Sequence, residues 1–580
     1  MRRLIFAILA LLSTPALVGA AEEAAKVFKF EPTKSISMFG LIYTVAMVVI
    51  FLYVGYLSQK KTSTSEDYYT AGRGIGALSN GLAMTSNFLS LATFLGFTAL
   101  IWKLQFLLVA FVMAWMGGFV MISIGVAPSL RRWGKFTSMQ FIGERYGTVA
   151  KVISVLCMIL LAQLYLIGQM KGVGNIFQVM FHWDYTTGLI IGGVVVTAYV
   201  TIGGMYGLSY NQTLQAVILG LALIFPTVII LMKMGAGAGA IFPPLGYSKM
   251  VPTMLEQLPT YFDPFTTVMG KIPLTFKYYT AIFMSLSFGT IGLPHIAMRY
   301  FTAPSVREGK KATLWGILFI GLVFLTTFAI GFAAKLYTVQ QIQGVQGLTI
   351  NPKDADLLVV VMSQAFAPAW IGALPIAGAM AAGLSTIGGL LMVIGTGIGH
   401  DIYTTISPNA PESKKMKMGL LFTAIGGLAT IGMALNPPKF LLTSVIWAFV
   451  VAASTFTPVL ILGIWWKGAN KIGANLGMIV GAFLSVTLWW GKGKLFGFQF
   501  INMGPIGYLM GGIFSASAAW FVTVVGSLVT GGEKDEEIRR VVDKIHGWND
   551  YSEERYSGNT FAICCALVAL GMMVWSMMPY

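Results

Sequence analysis

Two hydroxyls standing side by side in an apolar stretch are the residues of this sequence best placed to do chemistry. Residues 379–403 read AMAAGLSTIGGLLMVIGTGIGHDIY, and Ser385 and Thr386 follow Ala382 by three and four positions. On a helix that spacing gathers the Ala382 carbonyl and both hydroxyls on one face. Neutral oxygens of this kind carry partial negative charge without a titrating proton, which suits a sodium ion. The alternative is that each hydroxyl bonds back to the carbonyl one turn earlier, as hydroxyls in apolar helices commonly do.

Residue types suited to other chemistries are scattered. The histidines are His182, His295, His400 and His546, and the cysteines Cys157, Cys564 and Cys565 all lie in apolar stretches. This distribution gives no acid/base cluster, no disulfide framework and no thiolate metal site, so an enzyme is not expected. All 22 Asp and Glu residues fall outside the candidate spans. Proton pumps and cation carriers commonly keep an intramembrane carboxylate, because a buried charge is expensive and is retained for function.

The elements that must position the hydroxyls are membrane helices. The chain has 580 residues, of which 56% are hydrophobic and 10% charged, and a mean hydropathy of +0.76. Soluble domains carry about 25% charged residues, so an all-α polytopic membrane protein is expected. The net charge of +16 reads as basic loops facing a cytoplasm and anionic lipid, not as a nucleic-acid surface. Residues 1–20, with Arg2, Arg3, an apolar run and then Val18-Gly19-Ala20, have the layout of a cleaved signal peptide. Residues 21–37 would then be a short extracytoplasmic tail.

About fourteen transmembrane helices follow, approximately 38–58, 75–101, 105–128, 152–172, 185–203, 209–232, 278–298, 313–334, 370–399, 418–436, 441–464, 473–490, 505–530 and 559–578. The even number puts both termini outside. The loops this assigns to the cytoplasm hold about 22 Lys and Arg against about 14 outside, as the positive-inside rule requires. Residues 531–557 are polar and mixed in charge and read as a cytoplasmic connector with a short amphipathic helix, within a C-terminal region 473–580.

Two spans look broken. The second carries Asn80, Thr85, Ser86, Asn87, Ser90 and Thr93, and the seventh holds Gly289, Gly292 and Pro294 in its second half. A proline removes a backbone donor and frees carbonyls near it. The two spans are offset by five, the spacing of transporters built from two inverted five-helix repeats whose first helices are broken and line a midplane site. The core would be residues 75–464, with repeats 75–232 and 278–464, preceded by an extra helix at 38–58.

At this point the sequence resembles a known family, the sodium:solute symporters, over nearly the whole mature chain. The resemblance rests on EDYYTAGRGIGALSNGLA, TSMQFIGERYG, GGMYGLSYNQTLQ, LSTIGGLL and HDIY. Within the family, SEDYYTAG, SNGLA, TFLG, GTIGLPHIAMRYFT, VREGKKA and GHDIY are most similar to the bacterial cation/acetate (monocarboxylate) permeases. The resemblance implies a five-plus-five inverted-repeat, LeuT-like core and sodium-coupled import of a small monocarboxylate such as acetate across a bacterial cytoplasmic membrane. Counted without gaps from Gly72-Arg73 and Asp401-Ile402-Tyr403, the family's sodium ligands fall on the carbonyls of Ser86, Leu89 and Ala382 and the hydroxyls of Ser385 and Thr386.

This chain also departs from the family. Many members carry an aspartate in the sixth span, where the nearest polar side chain here is Gln212; acetate permeases tend to have one in the second span, where Asn87 stands. The departures leave sodium against proton coupling, and the stoichiometry, open. A symporter for an amino acid or sugar, and a non-coupled monocarboxylate channel or sensor, stand as alternatives.

A small carboxylate must be met by donors, and half-helix amino termini supply them. Thr93, one turn past the sodium position, Thr290 at the second break, and His295 after Pro294 are the candidate substrate residues. Arg299, near the end of its span, is expected to snorkel to the headgroups or to make a gate contact. Gln169 and Lys171 are expected at a membrane surface, at the end of the fourth span.

Overall fold

The computed structural model describes residues 27–28, 30–263, 265, 267–268, 272–273, 275–343, 349–350, 355–437, 441–496, 498–499, 501, 507–547 and 557–578. The expected signal peptide lies outside these residues. Among them, eleven helices are long and apolar enough to cross a membrane, or thirteen when each of two bent pairs counts as one span. The fourteen expected spans are thus not all matched: the region 185–203 contributes only the shorter apolar helix Tyr185–Ala198.

The principal helices in chain order are α1 (Lys34–Gln59), α2 (Ala77–Phe88), α3 (Phe97–Leu104), α4 (Leu107–Gly125), α5 (Thr148–Phe181), α6 (Tyr185–Leu231), α7 (Phe276–Ile291), α8 (Pro294–Phe301) and α9 (Val306–Tyr337). They continue as α10 (Leu358–Phe366), α11 (Leu374–Thr396), α12 (Glu412–Met433), α13 (Leu441–Trp465), α14 (Lys471–Trp490), α15 (Gly507–Val529), α16 (Glu536–His546) and α17 (Asn559–Met577). Among the described residues three two-stranded pairings form: Val27–Phe28, ahead of α1, with Thr349–Ile350, and two hairpins, Thr267–Val268 with Ile272–Pro273 and Lys494–Leu495 with Phe498–Gln499.

Burial orders the bundle. The apolar window of α11 is wholly buried and that of α13 is 94% buried, against 28% for α1 and 22% for α17. The helix that carries Ser385 and Thr386 is therefore surrounded by protein, where polar side chains meet partners instead of lipid. It packs on α6, α5, α12, α2 and α1.

Both broken spans exist. The axis bends by 64° between Ala77–Phe88 and Ala92–Leu104, and by 41° between α7 and α8. Leu89 leaves helical geometry at φ −75°, ψ 78°, and Leu293 is extended just before Pro294 starts α8. A third break falls inside α6, where Gly204 takes φ +55°, ψ −164°. Only glycine adopts that backbone without strain, and it separates the expected spans 185–203 and 209–232 with no intervening loop.

The TSMQFIGERYG segment is structural in part. Its Arg145 is fully buried and donates to the carbonyls of Gly463, Trp466 and Lys467 at 3.3, 3.0 and 3.2 Å, which satisfies the C-terminal end of α13. Tyr146 Oη donates to Val459 O at 2.9 Å on the same helix.

Candidate functional site

The break after α2 releases backbone carbonyls because the amides that would normally meet them are directed elsewhere. Ser90 N donates to Phe88 O, Leu91 N to Gln169 Oε1 and Thr93 N to Ser90 Oγ, at 2.9, 2.9 and 3.2 Å. In an unbroken helix these amides would bond the carbonyls of Ser86, Asn87 and Leu89. Those three oxygens are left for other partners in the interior of the protein.

Helix α11 meets two of them. Ser385 Oγ lies 2.6 Å from Ser86 O and 2.8 Å from Ala382 O, and Thr386 Oγ1 donates to Asn87 O at 3.0 Å. Ser86, Ala382, Ser385 and Thr386 are thus brought together, all at 0% exposure. Leu89 is buried two residues beyond Asn87 on the same turn-out, and it is Asn87 O that Thr386 faces here. An alanine at Gly389 would place its Cβ on Asn87 Oδ1, so the close approach of α11 to α2 needs a glycine there.

A polar network extends from this cluster. Gln212 of α6 donates through Nε2 to Ser385 O at 2.6 Å and to Asn87 Oδ1 at 3.2 Å, while Ser86 Oγ donates to Gln212 O at 2.7 Å. Arg299 of α8 donates to Gln212 Oε1 and, at 2.9 Å, to Ser209 Oγ. Asn87 Nδ2 donates to His295 O at 2.8 Å, and Asn80 Nδ2 to Arg299 O at 2.7 Å. The first broken span therefore holds the second through two side-chain amides.

Three sequence expectations change. Arg299 does not snorkel: it is fully buried against α6. Gln169 and Lys171 do not end a span, because α5 runs on to Phe181. At 1.5 Å per residue they lie about 18 and 15 Å before its end, and both are buried. The apolar continuation GVGNIFQVMF after Lys171 was the available signal.

The candidate substrate residues separate. Thr93 is buried at the break, 3.3 Å from Ser90 Oγ. The His295 ring is buried edge-on to Tyr165 at 5.4 Å, and neither ring nitrogen has a hydrogen-bond partner. Thr290 bonds back to Leu286 O at 2.8 Å and packs against Gly118 of α4.

At the end of the molecule that carries Arg131 and Arg132, three resemblance motifs meet. Thr137 Oγ1 lies 2.9 Å from Asp401 Oδ2, and His400 Nδ1 lies 3.0 Å from Asp401 Oδ1. Tyr69 packs edge-on to His400 at 5.2 Å and donates to Lys415 O at 3.2 Å. Burial, then the neighbouring Tyr68 and Asp401, push the Tyr69 phenol far above its ordinary range, so it stays a neutral donor. Tyr69, Thr137, Pro294, Met298, Val393 and Thr396 help line a small internal cavity here, between α8 and α11.

A family model described as the sodium:solute symporter family matches residues 68–481. An uncharacterized symporter of Bacillus subtilis (strain 168), YwcA, is 26% identical over 463 residues, covering 78% of this chain and 86% of that protein. A Na+-coupled sialic acid symporter in a substrate-bound outward-open state has a TM-score of 0.68 at 17% identity, covering 86% of this chain and 99% of its own. MHP1, a nucleobase-cation-symport-1 family transporter, aligns at a TM-score of 0.46 and 12% identity, over 88% and 94% of the two chains. The fold is the LeuT-like inverted repeat.

Proposed function

Because this chain belongs to the sodium:solute symporter family, a family of transporters and not of enzymes, we propose that it imports a small monocarboxylate such as acetate together with sodium. The observation that carries the reading is the convergence of Ser385 Oγ on Ser86 O and Ala382 O at 2.6 and 2.8 Å, with Thr386 Oγ1 on Asn87 O beside it. When the Ser385 hydroxyl rotates its proton away, its lone pair and the carbonyls of Ser86 and Ala382 that it had bonded are freed for a cation. In this reading the carbonyls of Ser86, Leu89 and Ala382 and the hydroxyls of Ser385 and Thr386 hold the sodium ion as transported cargo.

The ligands come from two helices, α2 and α11, so the ion is bound well only when the two are close. Sodium occupancy therefore biases one conformation of the carrier, which is what coupling requires. The cluster's polar neighbours are the amides Gln212 and Asn87 and the guanidinium of Arg299. Among the described residues no carboxylate touches the cluster, which favours sodium over a proton as the coupling ion.

Thr93 and His295, on the two breaks, are the substrate residues this reading favours, since Asn87 already ties the breaks together. Thr290, turned towards α4, fits a packing role better. The basic loops support a bacterial cytoplasmic membrane with Arg131 and Arg132 on the inside and both termini outside.

The test is uptake of radiolabelled acetate into proteoliposomes with and without an inward sodium gradient, in the wild type and in the Ser385→Ala/Thr386→Ala double variant. Uptake that needs sodium and collapses in the double variant is expected. Equal uptake in potassium would overturn sodium coupling, and no uptake of acetate would overturn acetate as the solute.

A further inference from the structure

Gln169 holds a side-chain amide in the interior of the protein of which only one end is used. Its Oε1 accepts from Leu91 N at 2.9 Å at the first break, and its Nε2 is buried without a hydrogen-bond partner. The Leu91 amide fixes which way round this group sits, because exchanging the two ends would set an NH2 group against an N–H, donor against donor. Nε2 is about 2.2 Å from Oε1 by covalent geometry, so its unused N–H bonds stand within about 5 Å of Leu91 N.

The amide belongs to a stripe of α5. Tyr165, Gln169 and Gly172 recur at i, i+4 and i+7 and so share one helical face. At the start of the stripe the Tyr165 ring packs edge-on to the His295 ring of the second break, at 5.4 Å. At its far end Gly172 lies against the Leu91 side chain, which also lies against Gly383 of α11. The segment after the first break is thus clamped between α5 and α11, and the stripe runs from one break to the other. Both His295 ring nitrogens, like Gln169 Nε2, are buried without a partner, and Gln169, His295 and Leu91 are all at 0% exposure.

Buried donors are normally paired, because an unpaired one has given up its hydration for nothing. Unused donors at a break in the middle of the bundle fit a ligand that brings only acceptors. A carboxylate is such a ligand, since both of its oxygens accept and neither donates. An amide donor carries no charge, so the balancing of the anion is left to a cation bound nearby.

We propose that Gln169 Nε2 donates to the carboxylate of the transported solute beside the His295 ring, and that Leu91 N orients the donor. The proposal rests on the sodium-coupled monocarboxylate reading above and adds to it the residue that selects an acceptor-only head group. Ser86 and Leu89, whose carbonyls that reading assigns to sodium, precede Leu91 by five and two residues. Ion and carboxylate therefore flank one break, and each offsets the charge of the other.

Gln169→Glu keeps the shape of the side chain and an oxygen for Leu91 N, and exchanges the NH2 donor for a second oxygen. Sodium-driven acetate uptake is measured in proteoliposomes at about pH 9, well above the ordinary carboxylate range. The variant should raise the KM for acetate about tenfold or more, from loss of a hydrogen bond to a charged group, while the half-saturating sodium concentration does not rise. A wild-type KM overturns the inference. So does a KM that rises together with the half-saturating sodium concentration, which would make Gln169 a brace for the break and nothing more.

The wild type supplies a second test that no failure of a variant to fold can spoil. With carboxyl-labelled 13C acetate, sodium and 15N in the glutamine side chains, solid-state NMR should show a carbon–nitrogen dipolar contact at about 4 Å or less. Absence of any such contact in protein that carries acetate overturns the inference and leaves the monocarboxylate reading standing. If the wild type carries neither acetate nor propionate, lactate or pyruvate, the reading and the inference fall together.

Discussion

Replacing Gln212 by leucine tests whether the network around Ser385 is a single unit. The change keeps side-chain volume near constant but removes two donors, to Ser385 O at 2.6 Å and Asn87 Oδ1 at 3.2 Å, and the acceptor of Arg299. A buried polar group left without a partner costs about 1–3 kcal/mol, more when it is charged. The Asn87 amide oxygen loses its donor and Arg299 one of its acceptors, while the Ser385 carbonyl keeps its helical bond and Arg299 keeps Ser209, so Gln212→Leu should destabilise the protein by roughly 2–4 kcal/mol. That is a large share of the 5–15 kcal/mol or so that holds a typical fold together.

Removing the charge as well should recover part of the loss. In Gln212→Leu/Arg299→Met no guanidinium has lost an acceptor, and the double-mutant cycle should report a coupling energy of about 1–2 kcal/mol. Thermal unfolding of purified protein in one detergent gives the four stabilities, and sodium titration of uptake gives the functional readout. Gln212→Leu should also raise the half-saturating sodium concentration about tenfold, because Ser385 loses its tie to α6. Strictly additive losses, or an unchanged sodium dependence in the single variant, would refute the idea that Gln212 joins the arginine to the ion site.

Ser385→Ala should raise the half-saturating sodium concentration more than Thr386→Ala does, since Ser385 touches carbonyls of both helices and Thr386 reaches across to one; equal shifts would contradict that ranking. Gly389→Ala drives a methyl into Asn87 Oδ1, so about 1–3 kcal/mol of stability should be lost to overpacking. The smaller side chain of Gly389→Ala/Asn87→Ser should restore part of it in the same thermal assay, and no recovery would show that the clash lies elsewhere. Arg145→Met strands three carbonyls at the end of α13, so the yield of monodisperse protein should fall sharply, with Arg145→Lys intermediate; a wild-type yield would show those carbonyls to be satisfied by water. Asp401→Ala removes the acceptor of Thr137 and the partner of His400, and a looser closure at the basic end should appear as faster efflux of preloaded acetate, with Asp401→Asn close to wild type.

Much of the architecture was legible in the sequence because a membrane helix must satisfy its backbone internally and be apolar for about 20 residues. The apolar runs gave the helices, while Asn87, Ser90, Gly292 and Pro294 marked the two breaks. The pair Ser385 and Thr386, spaced from Ala382 by one turn, gave one face of the candidate ion site. These are local properties of the chain, set by period and by backbone chemistry.

Partners across the bundle were not local, and only the tertiary structure decided them. Hydropathy scores Gln169, Lys171 and Arg299 as polar, but a polar residue at a membrane surface and one enclosed by other helices look alike in one dimension. The structure buries all three. It also turns Thr290 towards Gly118, joins Gln212 to Ser385 and Arg299, and inserts Asp356 against Lys171. Which neighbour each side chain meets depends on the azimuth and packing of helices far apart in sequence. Sequence alone therefore determined which elements form and where they break, and packing determined which polar groups inside them find one another.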